Sequence, residues 1–338
     1  MPDRRIKNCL VSAIVQRSTS DDAPKAFVST HPLDPEDAPT IISMREAARM
    51  AKGVRWTVEA RPQFDAIMER VPPPGDVTFE PGDVGNISGL WVHPASSRPG
   101  EAILHLHGGW FNAGSAKAYR YLVGHIAAKT RAKAFVPEYR LAPEHPFPAA
   151  VDDVLAVYRG IGDCGIRRLA VTGDSAGGNL ALVLASCVTA GAVAAKAILV
   201  GAAALSPVTD LTLSGATYET RAEADPYFTR RQVSELVRSY LGSAEANHPR
   251  ASPLDGRLSG LPPIRIHVGD DEVLLDDSRR YVERAVAAGV DARLDIWLSM
   301  PHGFAGSIGI LKASSQALDA IGMFLSDRLT AAEIRGCL

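Results

Sequence analysis

The chain has 338 residues, 46% hydrophobic and 22% charged, the balance of a soluble globular protein with a full core. A formal net charge of −2 gives no electrostatic basis for a nucleic-acid partner or for an anionic membrane. The four cysteines, Cys9, Cys164, Cys187 and Cys337, are scattered with no C-x-x-C pair, which argues against a disulfide framework or a structural zinc site and suits a reducing compartment.

At the N-terminus Arg4, Arg5 and Lys7 precede an apolar run at 9–15. That run is at the short limit for a signal peptide and no A-x-A site follows it, so a cytoplasmic N-terminus is expected. No apolar run is long enough to span a bilayer, so no stable membrane insertion is expected. Periodicity predicts helices over about 37–52 and 57–70, the second stopped by Pro72-Pro73-Pro74-Gly75, and no strand before residue 76.

From Asp76 onward strands and helices alternate. Strands are predicted at 77–79, 87–92, 102–106, 134–137, 169–172, 197–205, 264–268 and 292–298. Helices fill 116–130, 149–161, 177–190, 276–289 and 315–329. This order implies an α/β fold: a mostly parallel, twisted sheet of about eight strands with helices on both faces. The first two strands read as an edge hairpin closed by Pro81-Gly82-Asp83. A long polar insertion with one clear helix, 231–241, breaks the alternation between 205 and 264. With the N-terminal helices it could cover the carboxyl ends of the strands, where open α/β sheets bind ligands. The chain is therefore expected to be a single domain over 1–338. Its cap would come from about 1–52 and about 206–248, its core from about 76–205 and 249–330.

Gly173-Asp174-Ser175-Ala176-Gly177-Gly178 sits between a predicted strand and a predicted helix. Strand, G-x-S-x-G, helix is the context of a nucleophile elbow, in which small neighbours let strand and helix approach and expose the serine hydroxyl. The plainer alternative is a glycine-rich turn in which Ser175 only caps the helix. A serine nucleophile needs a base, and the base an orienting carboxylate. Downstream of Ser175 stand His248, His267 and His302. His248 falls in the polar insertion and His267 inside a strand, where packing is the usual role. His302, in Met300-Pro301-His302-Gly303-Phe304 after the last strand, is the expected base.

The acid is less defined. After the strand at 264–268 come Asp270, Asp271 and Glu272 on a loop, then Asp276 and Asp277, which suit the start of a helix. Upstream, His105 and His107 alternate on one strand, but no third ligand cluster accompanies them and a metal is not expected. The Gly108-Gly109 that follows reads as bare backbone for a developing oxyanion.

Together these motifs resemble the hormone-sensitive-lipase-like family of α/β-hydrolase carboxylesterases, over roughly 77–325. The matching stretches are His107-Gly108-Gly109-Trp110, Tyr139-Arg140-Leu141-Ala142-Pro143-Glu144, the elbow, Ser252-Pro253-Leu254 and Pro301-His302-Gly303-Phe304. The resemblance implies Ser175 as nucleophile, His302 as base, and the N–H groups of Gly108, Gly109 and Ala176 as the oxyanion hole. The family's acid position falls on Glu272, with Leu274 two residues on. Most members carry Asp there, so Asp271 stays an alternative. Trp110 replaces a glycine of many members; with Phe111 and Asp174 it is expected near the substrate pocket, Asp174 also holding the elbow. Tyr139 to Glu144 is expected to be structural. The implied activity is hydrolysis of short- to medium-chain carboxylic esters through an acyl-enzyme, with no metal or organic cofactor. A lactonase, or a small-metabolite deacetylase or amidase, would share the triad, and a non-catalytic binding protein could share the fold. The expected partner is a small-molecule ester, with no nucleic acid and with a homodimer left open.

Overall fold

The computed structural model describes residues 27–331. The N-terminal basic residues, the run at 9–15, Cys9 and Cys337 lie outside the described residues. The strands are β1 (Val28–His31), β2 (Val77–Val84), β3 (Ile87–Pro94), β4 (Glu101–Leu106), β5 (Lys133–Pro137), β6 (Arg168–Asp174), β7 (Ile198–Leu205), β8 (Ile264–Gly269) and β9 (Ala292–Trp297). The α-helices are α1 (Ala38–Ala48), α2 (Arg61–Met68), α3 (Ala116–Thr130), α4 (Ala149–Gly160), α5 (Ala176–Thr189), α6 (Thr217–Thr220), α7 (Arg230–Leu241), α8 (Leu275–Ala287) and α9 (Lys312–Thr330).

All described strands form one sheet in the order β1-β9-β8-β7-β6-β4-β5-β3-β2. The pairings from β1 to β5 are parallel, and β5-β3 and β3-β2 are antiparallel. Central strands such as Leu169-Ala170-Val171 are apolar on successive residues because both faces are covered. Helices α4, α5 and α8 pack into one buried layer, α3 and α9 into the other. The carboxyl ends of β4, β6, β7 and β8 therefore lie side by side, and the loops leaving them converge.

Two expectations are corrected. First, the N-terminal segment does contribute a strand. Val-Ser-Thr-His has a single aliphatic residue, so periodicity does not reveal it. It is held by parallel pairing with β9 at the sheet edge, by His31 stacking on Trp297 at 3.9 Å, and by His31 Nε2 against Asp295 Oδ1 at 2.7 Å. Second, Pro81-Gly82-Asp83 is not the hairpin turn but part of β2, paired with Leu90, Gly89 and Ser88. The proline is tolerated because β2 is an edge strand. The turn is Gly85-Asn86, with φ of 62° and 65°, the left-handed values a two-residue hairpin requires.

The insertion and the N-terminal segment are joined. Gln232 Nε2 on α7 donates to Val54 O at 2.7 Å, Lys52 Nζ donates to Ala222 O at 2.6 Å, and Arg45 Nη1 on α1 donates to Ala224 O at 3.3 Å. Among the described residues, no helix is long and apolar enough to cross a membrane.

Asp37 precedes α1 but does not cap it. Its buried carboxylate instead accepts the N–H groups of Lys312 (2.8 Å) and Ala313 (3.0 Å), the free donors at the start of α9. Asp37→Ala should therefore lower unfolding stability by about 1–2 kcal/mol, read from the denaturant midpoint. An unchanged midpoint would contradict the assignment.

Candidate active site

The elbow follows from backbone sterics. A Cβ on Gly177 would run into the carbonyls of Leu106 and His107, and one on Gly173 into the carbonyl of Gly177. Only with glycine at both positions can β6 turn into α5 against the end of β4. Ser175 takes the strained corner, φ 52° and ψ −117°, with its N–H donating to Leu205 O at 2.8 Å. Its hydroxyl makes no capping hydrogen bond, which removes the alternative that Ser175 serves only as a helix cap. The residue is 4% exposed.

The loop after β4 is tied to the elbow through Asp174. Asp174 Oδ1 accepts the N–H of Gly108 at 3.0 Å, and Oδ2 accepts the Tyr119 hydroxyl at 2.9 Å. One expectation changes with this. The Gly108 N–H is engaged by a carboxylate and is not free to meet an oxyanion. Asp174 is a strut between the two loops, in line with the holding role expected of it. The N–H groups of Gly109 and Trp110, next along the loop, donate to no protein group among the described residues. The N–H of Ala176, first in α5, is likewise left over by helix geometry. Phe111 is also corrected: it is buried and stacks on Tyr240 of α7 at 3.7 Å, so it packs the loop rather than lining a pocket.

His107 is stacked on Tyr139 at 4.2 Å, and the Tyr139 hydroxyl donates to His107 O at 2.6 Å. Burial pushes the His107 imidazole down to about 4, so it stays neutral. Further along, Arg140 forks onto Asp153, and Arg61 of α2 spans Glu144, Ala142 O and Asn112 O. The 139–144 stretch thus braces the loop from below. Among the described residues, no three His, Cys, Asp or Glu side chains gather as metal ligands would.

The acid loop separates its carboxylates. Glu272 is fully buried and its Oε2 lies 2.7 Å from His302 Nδ1. Its Oε1 accepts the Ser206 hydroxyl at 2.6 Å and the Gly269 N–H at 2.7 Å. Asp271 pairs with Arg45 of α1, and Asp270 accepts the N–H of Ser299. Asp276 and Asp277 do begin α8, but their carboxylates leave the helix. Asp276 accepts Thr217 N–H at 3.1 Å, and Asp277 accepts the N–H groups of Thr209 (2.7 Å) and Asp210 (2.9 Å). Burial pushes Asp277 up to about 8 despite those donors.

A carboxylate only accepts, so the His302 proton sits on Nδ1 and Nε2 is left with a lone pair. Burial opposes a charge on His302, but Glu272, then Asp225 and Asp174, outweigh it and hold its pKa above the ordinary value. Asp174, the neighbour of Ser175 in the chain, is thus one of the charges that act on His302. His267 and His248 do not compete. His267 is buried between Trp297 and Asp295 and pushed down to about 4 by that burial, and His248 is exposed.

Three features escaped sequence reasoning. Ser206, at the carboxyl end of β7, steadies the acid. Phe228 meets His302 edge-on at 5.1 Å and Trp110 at 5.3 Å, an aromatic bridge between the two. The Trp110 N–H, like that of Gly109, is left without a protein acceptor among the described residues. The only signals were a serine closing the strand beside the elbow strand and an aromatic pair in Asp225-Pro226-Tyr227-Phe228. A cavity of about 350 Å³ lies between the 55–59 segment, the loop after β4 and α7, walled by Trp56, Asn112, Gln232 and Leu236. None of Ser175, His302 or Glu272 lines it.

A family profile described as alpha/beta hydrolase fold matches residues 103–306. An acetyl-hydrolase of Streptomyces hygroscopicus is 35% identical over 255 residues, 75% of this chain and 83% of the relative. An esterase of Acinetobacter venetianus is 31% identical over 267 residues, 78% of this chain and 87% of that one. Among solved structures, an esterase from the bacterial hormone-sensitive lipase family is 35% identical with a TM-score of 0.79, covering 88% of this chain and 99% of its own. The esterase EstE5, in a crystal soaked with p-nitrophenyl butyrate, is 36% identical with a TM-score of 0.79, covering 88% and 100%. The chain belongs to the α/β-hydrolase family, among the bacterial esterases of the hormone-sensitive-lipase type, and is a carboxylic ester hydrolase.

Proposed function

We propose that the chain hydrolyses short- to medium-chain carboxylic esters through an acyl-enzyme on Ser175, with His302 as general base and Glu272 as the acid that orients it. The observation that carries this is the 2.7 Å approach of His302 Nδ1 to Glu272 Oε2, together with a serine held at a strained strand-to-helix corner. Ser175 Oγ attacks the ester carbonyl while His302 Nε2 takes its proton. The resulting oxyanion is met by the N–H groups of Gly109, Trp110 and Ala176, each worth about 3 kcal/mol of barrier. His302 then protonates the leaving alcohol, and water, deprotonated by the same imidazole, releases the acid from Ser175. No step calls on a metal or organic cofactor.

The cap would be the described part of the N-terminal segment together with 206–248, supported by the hydrogen bonds that join them. Phe228, edge-on to His302 and in contact with Trp110, puts aromatic bulk next to the base, which supports a preference for small acyl groups. The same aromatic bulk supports a second reading, removal of an acetyl group from a small metabolite; the Streptomyces relative is named an acetyl-hydrolase. We place the protein in the cytoplasm, a reading supported by the free thiols of Cys164 and Cys187.

Ser175→Ala should abolish hydrolysis of p-nitrophenyl acetate and butyrate with the fold intact, and retained turnover would sink the assignment. Between the two acids, Glu272→Ala should cost about two to three orders of magnitude in kcat and Asp271→Ala far less. The reverse ranking would make Asp271 the orienting acid. Because the base must be neutral and its pKa is raised, kcat/KM should fall as pH drops through a midpoint above the ordinary histidine value of about 6.5. A midpoint below that value in the free enzyme would contradict the charge environment described for His302.

A further inference from the structure

A second fully buried carboxylate faces His302 and takes no part in the steps above. Asp225 is 0% exposed and lies in the insertion between α6 and α7. Its Oδ1 accepts the N–H groups of Tyr227 at 2.8 Å and Phe228 at 2.9 Å, which closes the turn Asp225-Pro226-Tyr227-Phe228. Its Oδ2 accepts the N–H of Val273 at 2.9 Å. Val273 directly follows Glu272. The same turn carries the Phe228 ring that lies edge-on to His302.

We propose that Asp225 is a positioning residue for the His302–Glu272 pair, stapling the Phe228 turn to the backbone beside Glu272 and supplying a third negative charge facing the imidazole. The inference rests on the triad reading above. Negative charge reaches His302 from three elements: Glu272 on the loop after β8, Asp174 at the end of β6 and Asp225 in the insertion. Burial pushes the Asp225 carboxyl up, and its backbone donors pull it back toward the ionised form that can accept on both oxygens. A staple of this kind links the insertion to the loop that carries the acid. Glu272 has no such link of its own, since its partners Ser206, Gly269 and His302 all leave the sheet's carboxyl edge.

Asp225→Asn keeps the shape of the side chain. One oxygen still serves Tyr227 and Phe228, but an amide NH2 now faces the Val273 N–H and the charge is gone. For p-nitrophenyl acetate, kcat/KM should fall by roughly an order of magnitude, the consequence of a buried donor left unpaired. The acid limb of its pH profile should also move to lower pH by several tenths of a unit. An imidazole that loses a facing negative charge releases its proton more readily, so the neutral base persists further into acid. Asp277→Asn is the control for losing a buried carboxylate that also holds two backbone N–H groups but does not face His302. It should lower stability and leave the limb where it is. If Asp225→Asn does not fold, Asp225→Glu replaces it: the charge remains while the staple is mis-spaced, so kcat/KM falls with the limb unmoved. An asparagine variant with wild-type kcat/KM or an unmoved limb overturns the proposal, as does a fully active glutamate variant. Ser175→Ala and His302→Ala run in the same assay separate the two readings. Activity retained there removes the triad itself, whereas their inactivity beside an unaffected Asp225→Asn removes only the staple.

Discussion

A carboxylate withdrawn from water must be met on both oxygens, and the catalytic half of this molecule is arranged around one that is. Glu272 has no exposure, and its Oε1 is held by the Ser206 hydroxyl and the Gly269 N–H. With that oxygen anchored, Oε2 has one place to be, 2.7 Å from His302 Nδ1. An unanchored glutamate would have a rotatable bond more than aspartate with which to miss the imidazole. The extra methylene is accommodated because the donors come from the ends of two neighbouring strands, β7 and β8, which the sheet sets side by side.

Asp174 performs a parallel task for the other half of the site. It fixes the loop after β4 by taking the Gly108 N–H, and thereby leaves the next two N–H groups pointing elsewhere. The elbow glycines, the strut and the buried His107–Tyr139 stack together hold backbone donors in place before any substrate arrives. Donors fixed in advance need no reorganisation as charge develops, which is what makes such groups effective.

Much of this was legible in the chain. The period of the central strands, the glycines around Ser175 and the loop position of His302 all rest on local rules, and the structure keeps to them. What failed to show depends on partners far apart in sequence. β1 has too few apolar residues to announce itself and exists because β9 offers a free edge. Gly85 and Asn86, not Pro81-Gly82-Asp83, turn the hairpin, both in the left-handed backbone that a two-residue turn requires. Gly108 and Gly109 look alike as letters, and only the position of Asp174 shows which N–H is taken. Asp277 has the sequence position of a helix-dipole residue yet holds the 209–210 loop instead. Ser206 and Ser175 are equally plain serines until the sheet sets one beside the acid and the other at the corner.

The central claim is that Glu272, and not its neighbour Asp271, holds the proton on His302 Nδ1. Proton NMR of the free enzyme addresses it through the downfield resonance of an imidazole N–H hydrogen-bonded to a buried carboxylate. The account predicts such a signal in the wild type, lost in Glu272→Gln and retained in Asp271→Asn. A signal that survives Glu272→Gln, or that disappears only in Asp271→Asn, would contradict it.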